Sequence, residues 1–268
     1  RRPDLPRITM RADNLNERNA EFAQTPLKAP VFLNSVPKCG THLIRNIMRM
    51  FVAVPQQYHA TFIQHPLLRQ HGAAAFDQRQ PKLSWGHLLY SDDAAILLRS
   101  TKQIVMVRDP YDWVLARARF FVSENFQGGM ESLKHNQIGT NELLNLMIFG
   151  IHGKAPTMEE IFRHNAVAWL GTSAYLVRYE EMVDALKKLD SKESELYFAR
   201  LFDACGIETP SDWRQRVLIG SDRKQSATAR ENLEAVEADL PDELPDTQKR
   251  LVDYAAPGLR ELLGYVRR

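Results

Sequence analysis

The feature that most constrains the fold of this chain is a junction that occurs three times: a short apolar run passes directly into a tight polar turn and then into a helix. In the first, Val31-Phe32-Leu33 follows Pro30, a run suited to a strand buried on both faces of a parallel sheet. It leads into Ser35-Val36-Pro37-Lys38-Cys39-Gly40-Thr41-His42. Beyond it, Leu43, Ile44, Ile47, Met48 and Phe51 recur at helical spacing, with Arg45, Asn46 and Arg49 on the other face. In the second, Ile104-Val105-Met106-Val107 runs into Arg108-Asp109-Pro110, where Asp109 is placed to cap a helix and Pro110 to occupy its first position. In the third, Tyr175-Leu176-Val177 precedes Arg178-Tyr179-Glu180-Glu181-Met182 and a helix to about Leu189. Strands alternating with helices predict an α/β fold with a central, mostly parallel sheet flanked by helices.

The chain has 268 residues, enough for one large domain or two small ones. No internal repeat, low-complexity tract or shift in composition divides it, so a single domain over 30–268 is expected. Residues 1–29 are polar, with Pro3, Pro6 and Pro26, and read as an N-terminal extension with one short helix. Leu143, Leu144, Met147 and Ile148, then Ile161, Phe162, Val167 and Trp169, mark a helical insertion near 123–170, broken between 150 and 156. It is placed to cover a ligand crevice.

Charge and cysteine usage narrow the function classes. Lys plus Arg is 35 against 33 for Asp plus Glu, a net +2, too small for a global field directed at nucleic acid or a membrane surface. Any anion site must be local. Cys39 and Cys205 stand far apart, without disulfide or zinc spacing, which fits a reducing, cytoplasmic setting. No run approaches the roughly 18 apolar residues of a spanning helix, and no charged-then-apolar signal segment opens the chain. His59, His65 and His71 are spaced by six, which matches no common metal-ligand pattern. No metal is expected.

A strand that delivers its chain into a tight turn at a helix N-terminus gathers free backbone N–H groups and the positive end of the helix dipole, an arrangement suited to phosphate. Lys38 adds a cation there, Gly40 allows close backbone approach, and Thr41 supplies a hydroxyl. The Walker pattern G-x-x-x-x-G-K-[ST] is absent, because the lysine precedes the glycine.

The segment Pro37-Lys38-Cys39-Gly40-Thr41-His42-Leu43 instead resembles the phosphosulfate-binding loop of cytosolic-type sulfotransferases. Further family marks follow in order. Arg108-Asp109-Pro110-Tyr111-Asp112 is similar to the signature whose arginine contacts the donor's 3′-phosphate. His87, in Ser84-Trp85-Gly86-His87-Leu88, stands 21 positions before that arginine and matches the family's general base. Tyr179-Glu180-Glu181-Met182 is similar to the segment whose tyrosine lies against adenine, and Leu262-Leu263-Gly264-Tyr265 to the closing helix and turn.

The chain also departs from the family. Ala116 stands where a serine usually holds the 3′-phosphate, with Arg117 and Arg119 as candidate substitutes. The late glycine-rich loop is eroded to Ser221-Asp222-Arg223-Lys224-Gln225-Ser226, which leaves Arg223 and Lys224 for the 3′-phosphate and Arg230 in reserve. Trp85 replaces a lysine found two positions before the histidine in some members, and His42 replaces a hydroxyl residue at the 5′-phosphate. Bland readings compete with each assignment. His87 alone would pass for a core histidine, Arg108 for the partner of Asp112, Tyr179 for strand-edge packing, and Arg223 and Lys224 for a solvated loop.

The resemblance implies sulfuryl transfer from 3′-phosphoadenosine 5′-phosphosulfate (PAPS) to an acceptor hydroxyl or, less often, an amine, releasing adenosine 3′,5′-bisphosphate (PAP). His87 and Lys38 would be catalytic, and residues 38–43, Arg108, the Ala116 position, Tyr179, Arg223 and Lys224 would form the donor site. The implied acceptor is a small molecule, lipid or saccharide, and a homodimer is compatible with the chain. Phe120, Phe121 and Phe126 are candidates to line the acceptor cleft. Two rival readings are a P-loop small-molecule kinase, which would need Mg²⁺, and a catalytically idle nucleotide-binding module.

Overall fold

The computed structural model describes residues 7–8, 12–225 and 239–266. Its strands are β1 (Arg7–Ile8), β2 (Val31–Ser35), β3 (Ile63–Gln64), β4 (Leu83–His87), β5 (Lys102–Val107), β6 (Phe126–Gln127) and β7 (Tyr175–Arg178). Five of these form an all-parallel sheet in the order β3-β4-β2-β5-β7. From β2 the chain moves to one side to lay down β3 and β4, then crosses over to add β5 and β7. The crevice at the carboxyl ends of β4, β2 and β5 is therefore a topological switch point, where open parallel sheets bind ligands.

All three junctions form at their expected places. The helices that follow them are α2 (Thr41–Arg49), α5 (Pro110–Val122) and α8 (Tyr179–Lys187). The others are α1 (Leu15–Asn19), α3 (Leu68–Ala75), α4 (Asp92–Leu98), α6 (Thr140–Phe149), α7 (Met158–Asn165), α9 (Lys192–Ala204), α10 (Trp213–Gly220), α11 (Asp246–Ala255) and α12 (Leu259–Leu262). Asp109 caps α5 as expected, its carboxylate accepting from the Tyr111 N–H at 3.1 Å. Alternation along β2 splits the core. Phe32 joins Trp113, Leu144 and Phe162 on one face of the sheet, while Val31 and Leu33 join Ile44, Phe198 and Trp213 on the other.

Two features go beyond the sequence reading. The Arg45, Asn46 and Arg49 face of α2 is buried, with exposures of 9%, 1% and 7%. The cause is α10, whose Gly220 lies so near that a Cβ would stand 2.6 Å from the Asn46 carbonyl oxygen. Asp13 and α1 close the same face, with Asn19 Nδ2 donating to the Arg49 and Val52 carbonyls at 2.6 and 2.8 Å. The segment ahead of β2 also contributes more than one helix, because β1 pairs antiparallel with β6 in the insertion. Two-residue strands carry no periodicity that could announce them. No helix among the described residues is long and apolar enough to cross a membrane.

Candidate active site

The loop after β2 is held in a conformation that few side chains adopt. Lys38 has φ 62° and Gly40 φ 96°, and a non-glycine residue held in the left-handed region is a strain that clusters at ligand sites. The loop is pinned by the Trp113 indole, which donates to the Pro37 carbonyl at 2.6 Å, and by the Cys39 N–H, which turns back to the Val36 carbonyl at 3.2 Å. Gly40 is required twice over, since a Cβ there would meet the Tyr179 ring at 2.7 Å. The first bond of α2 runs from the Ile44 N–H to the Gly40 carbonyl. The N–H groups of Thr41, His42 and Leu43 therefore have no acceptor within the helix and remain for an anion. Burial pushes the Cys39 thiol well up, so that side chain is a packed, inert turn residue.

His87 ends β4, the neighbour of β2. Its Nδ1 lies 2.7 Å from the Ser35 carbonyl oxygen and 3.3 Å from the Ser35 hydroxyl, which is itself 2.6 Å from Thr41 Oγ1. A carbonyl only accepts, so Nδ1 carries the proton and Nε2 is left as the basic nitrogen. Burial, with Lys38 adding to it, lowers the pKa of His87 to about 4. The imidazole is neutral at pH 7, as a general base must be.

On the other side of β2, Arg108 leaves β5 and lays its guanidinium over the Tyr179 ring, 4.5 Å from the centroid. Lys38 as a residue is only partly buried, but its ammonium is tucked 3.3 Å from the centroid of Phe120. Burial, with Arg108 adding to it, brings its pKa down to about 7. Lys38, Gly40, Thr41, His87, Arg108 and Tyr179 thus gather at the ends of four adjacent parallel strands. Phe120 packs on Phe126 at 5.2 Å and Phe126 stacks on Phe121 at 4.7 Å, which places that aromatic cluster against Lys38.

The remaining assignments divide. Ala116 lies on α5 with no hydroxyl to offer, and Arg117 does not replace it. Its guanidinium donates to the Met147 and Pro156 carbonyls at 2.7 and 2.9 Å, fastening the insertion to α5. Arg223 and Lys224 lie in a single 3₁₀ turn, Arg223–Gln225. That turn is anchored through Gln225, which accepts from Asn46 and Asn14 at 3.2 and 3.1 Å. Ser226 and the reserve Arg230 fall outside the described residues.

A scaffold not visible in sequence holds the Arg108 turn. Asp109, fully buried, accepts from Arg260 Nε and Nη2, both at 3.0 Å. Glu180 accepts from the Asp109 N–H at 2.8 Å and from the Tyr265 hydroxyl at 2.7 Å. Arg178 Nε donates to the Leu263 carbonyl at 2.5 Å. The closing turn therefore ties the ends of β5 and β7 together.

The polar atoms left over fit an anionic nucleotide. Arg108 Nε and His42 Nδ1 are buried without a hydrogen-bond partner among the described residues, and the α2 N-terminus lies beside them. Among the described residues no group of three or more His, Cys, Asp or Glu could hold a metal ion.

No family model and no curated protein sequence matches the chain. Solved structures do match it. The mouse sulfotransferase SULT7A1 complexed with PAP aligns over 96% of this chain and 95% of its own, with a TM-score of 0.56 and 14% identity. Retinol dehydratase in complex with androsterone and the inactive cofactor PAP aligns over 91% of this chain and 83% of its own, with a TM-score of 0.54 and 14% identity. Over nearly its whole length the chain has the fold of the cytosolic-type sulfotransferases.

Proposed function

We propose that the chain is a sulfotransferase that moves the sulfuryl group of PAPS to an acceptor hydroxyl, an amine being the lesser variant. The observation that carries this reading is His87. It is a neutral, partly buried imidazole whose tautomer is set by the Ser35 carbonyl, and it lies on the strand beside a lysine-bearing helix N-terminus. The PAP-bound structural neighbours support the same reading at the level of fold.

When bound, the donor supplies an electrophilic sulfur and a leaving phosphate. His87 Nε2 takes the acceptor's proton as the new oxygen–sulfur bond forms and the bond to the leaving phosphate breaks. Lys38 and the N–H groups of residues 40–43 meet the charge that grows on the departing oxygen, with neutral His42 beside them. Arg108, with Arg223 and Lys224, holds the 3′-phosphate, and Tyr179 flanks the base. Most of the rate then comes from positioning and electrostatics. Lys38 and the helix N-terminus supply the positive charge, so the step asks for no metal. The domain takes in 30–268 with its insertion near 123–170, α1 of the preceding extension packs onto it through Leu15 and Asn19, and a reducing cytoplasm suits its two free thiols.

Calorimetric titration tests the donor site. PAP is expected to bind without metal and more tightly than ATP with Mg²⁺. Lys38→Ala and Arg108→Ala should each weaken it about tenfold to a hundredfold, as loss of a charged hydrogen bond worth about 1.5–3 kcal/mol requires. A preference for ATP with Mg²⁺ would transfer the site to the kinase reading. PAP binding with no turnover on a broad acceptor panel would support the idle module, which the missing hydroxyl at Ala116 keeps in play.

The Lys38 pKa of about 7 gives this titration a pH signature. Below pH 7 the ammonium is already charged, whereas above it PAP must draw a proton onto Lys38. Affinity should therefore fall as pH rises past 7, and at pH 8 the binding enthalpy should vary with the buffer's ionisation enthalpy. In Lys38→Ala that buffer dependence should vanish. A buffer-independent enthalpy in the unaltered protein would show that Lys38 does not titrate with PAP.

A further inference from the structure

Near His87 stands a cation that the transfer chemistry leaves unused. Trp85 and His87 are alternate residues on one face of β4. From the loop before β3, His59 sets its ring edge against Trp85 at 5.8 Å and Phe62 against His87 at 4.7 Å. From α2 come His42 and, one turn on, Arg45 with its guanidinium carbon 5.6 Å from the centre of the Trp85 ring.

Arg45 is 9% exposed, and its one hydrogen bond among the described residues is a long one, Nε to Asn46 Oδ1 at 3.3 Å. No carboxylate among the described residues lies within ion-pair distance of it. Asp13, the nearest acid to act on it, already accepts from Arg49 Nη1 and Nη2 at 2.9 and 3.1 Å and from the Leu15 N–H at 3.0 Å. Burial, then Arg49, lower the Arg45 pKa to about 10, so it remains charged at neutral pH. Its terminal nitrogens have no acceptor among the described residues and keep contact with solvent, so a fork-shaped anion can reach them. The Trp85 ring, 7% exposed, packs beside the guanidinium and holds it in place.

Building on the sulfotransferase reading, we propose that Arg45 and Trp85 form a recognition subsite for a carboxylate on the acceptor, so that the preferred acceptor is a hydroxy-acid and not a neutral alcohol or phenol. The Arg45 fork pairs with the carboxylate while the acceptor's hydroxyl reaches His87 Nε2. Neutral His42 lies between them as a further hydrogen-bonding group.

The test is calorimetric titration of 4-hydroxyphenylacetate, 3-hydroxydecanoate and glucuronate, each beside its methyl ester, into the free and the PAP-saturated protein. At least one acid should bind about tenfold more tightly than its ester. Arg45→Met should erase that difference, and Arg45→Lys, which keeps the charge but not the fork, should retain part of it. PAP affinity and the melting transition serve as controls for folding. Equal binding of every acid and ester, or a preference that survives in Arg45→Met, would overturn the subsite. A selective loss of PAP affinity in a folded Arg45→Met would overturn it too, by placing the guanidinium in the donor site. Failure of the unaltered protein to bind PAP at all counts against the sulfotransferase reading. The titrations of the free protein still decide on Arg45.

Discussion

His87→Ala is expected to lower kcat by about a hundredfold to ten-thousandfold, the usual contribution of a positioned general base, while PAP still binds. Two features of the structure set this expectation. The Ser35 carbonyl 2.7 Å from Nδ1 fixes the proton on that nitrogen, and a pKa of about 4 keeps the ring neutral across the working range. The pH profile of kcat/KM should then show two limbs. Activity falls as pH drops through about 4, where His87 gains a proton, and falls again above about 7, where Lys38 in the free protein loses one. The residual activity of His87→Ala should keep the alkaline limb and lose the acid one. That split separates a base from a packing residue, because a merely structural defect would lower the whole profile without changing its shape. A variant with full turnover, or one that keeps the acid limb, would remove His87 from the chemistry.

How much of this was legible in the sequence depends on how local each signal is. The three strand-turn-helix junctions were readable because each is written within a dozen or so neighbouring residues. An apolar run, a glycine or proline turn and a 3.6-residue period need no distant partner. Lys38, Gly40 and Thr41 could likewise be assigned to an anion site from the junction alone. His87 could not, since an isolated histidine has no periodicity, and its role came through the resemblance. What stayed hidden depends on distant contacts. The cover over the polar face of α2 could not be read, because nothing near Arg45 or Arg49 indicates that Gly220 lets α10 lie against it. Arg117 looked available for phosphate because its acceptors are main-chain carbonyls of Met147 and Pro156, and a carbonyl has no sequence signature. The free charge at Arg45 emerges only once Asp13 is seen to be committed to Arg49.

The largest expected effect on stability comes from the most distant of these contacts, Asp109 with Arg260, 151 positions apart. The pair is bidentate at 3.0 Å, with side chains 1% and 4% exposed. Removing one member of such a buried pair leaves a charge that neither water nor protein compensates, at a cost of about 3–5 kcal/mol. Arg260→Met should therefore lower the melting temperature by on the order of 10 °C, at 2–4 °C per kcal/mol for a chain of about this size. Asp109→Asn on that background removes the stranded charge yet keeps an oxygen to cap α5, so the double variant should recover most of the loss. Function should follow stability only in part. Asp109 sets the start of α5 and holds Glu180, and through Glu180 it aligns the ends of β5 and β7, where Arg108 and Tyr179 stack. PAP affinity, measured well below the melting point, should drop in Arg260→Met because Arg108 loses its backing, and should return in the double variant. Thermal melts and calorimetry on the three proteins decide the matter. Should Arg260→Met melt within a degree or two of the unaltered chain, the pair is solvent-accessible and the closing turn does not support the site. If stability falls but PAP affinity holds, the clamp belongs to folding alone and Arg108 is positioned by its stack on Tyr179.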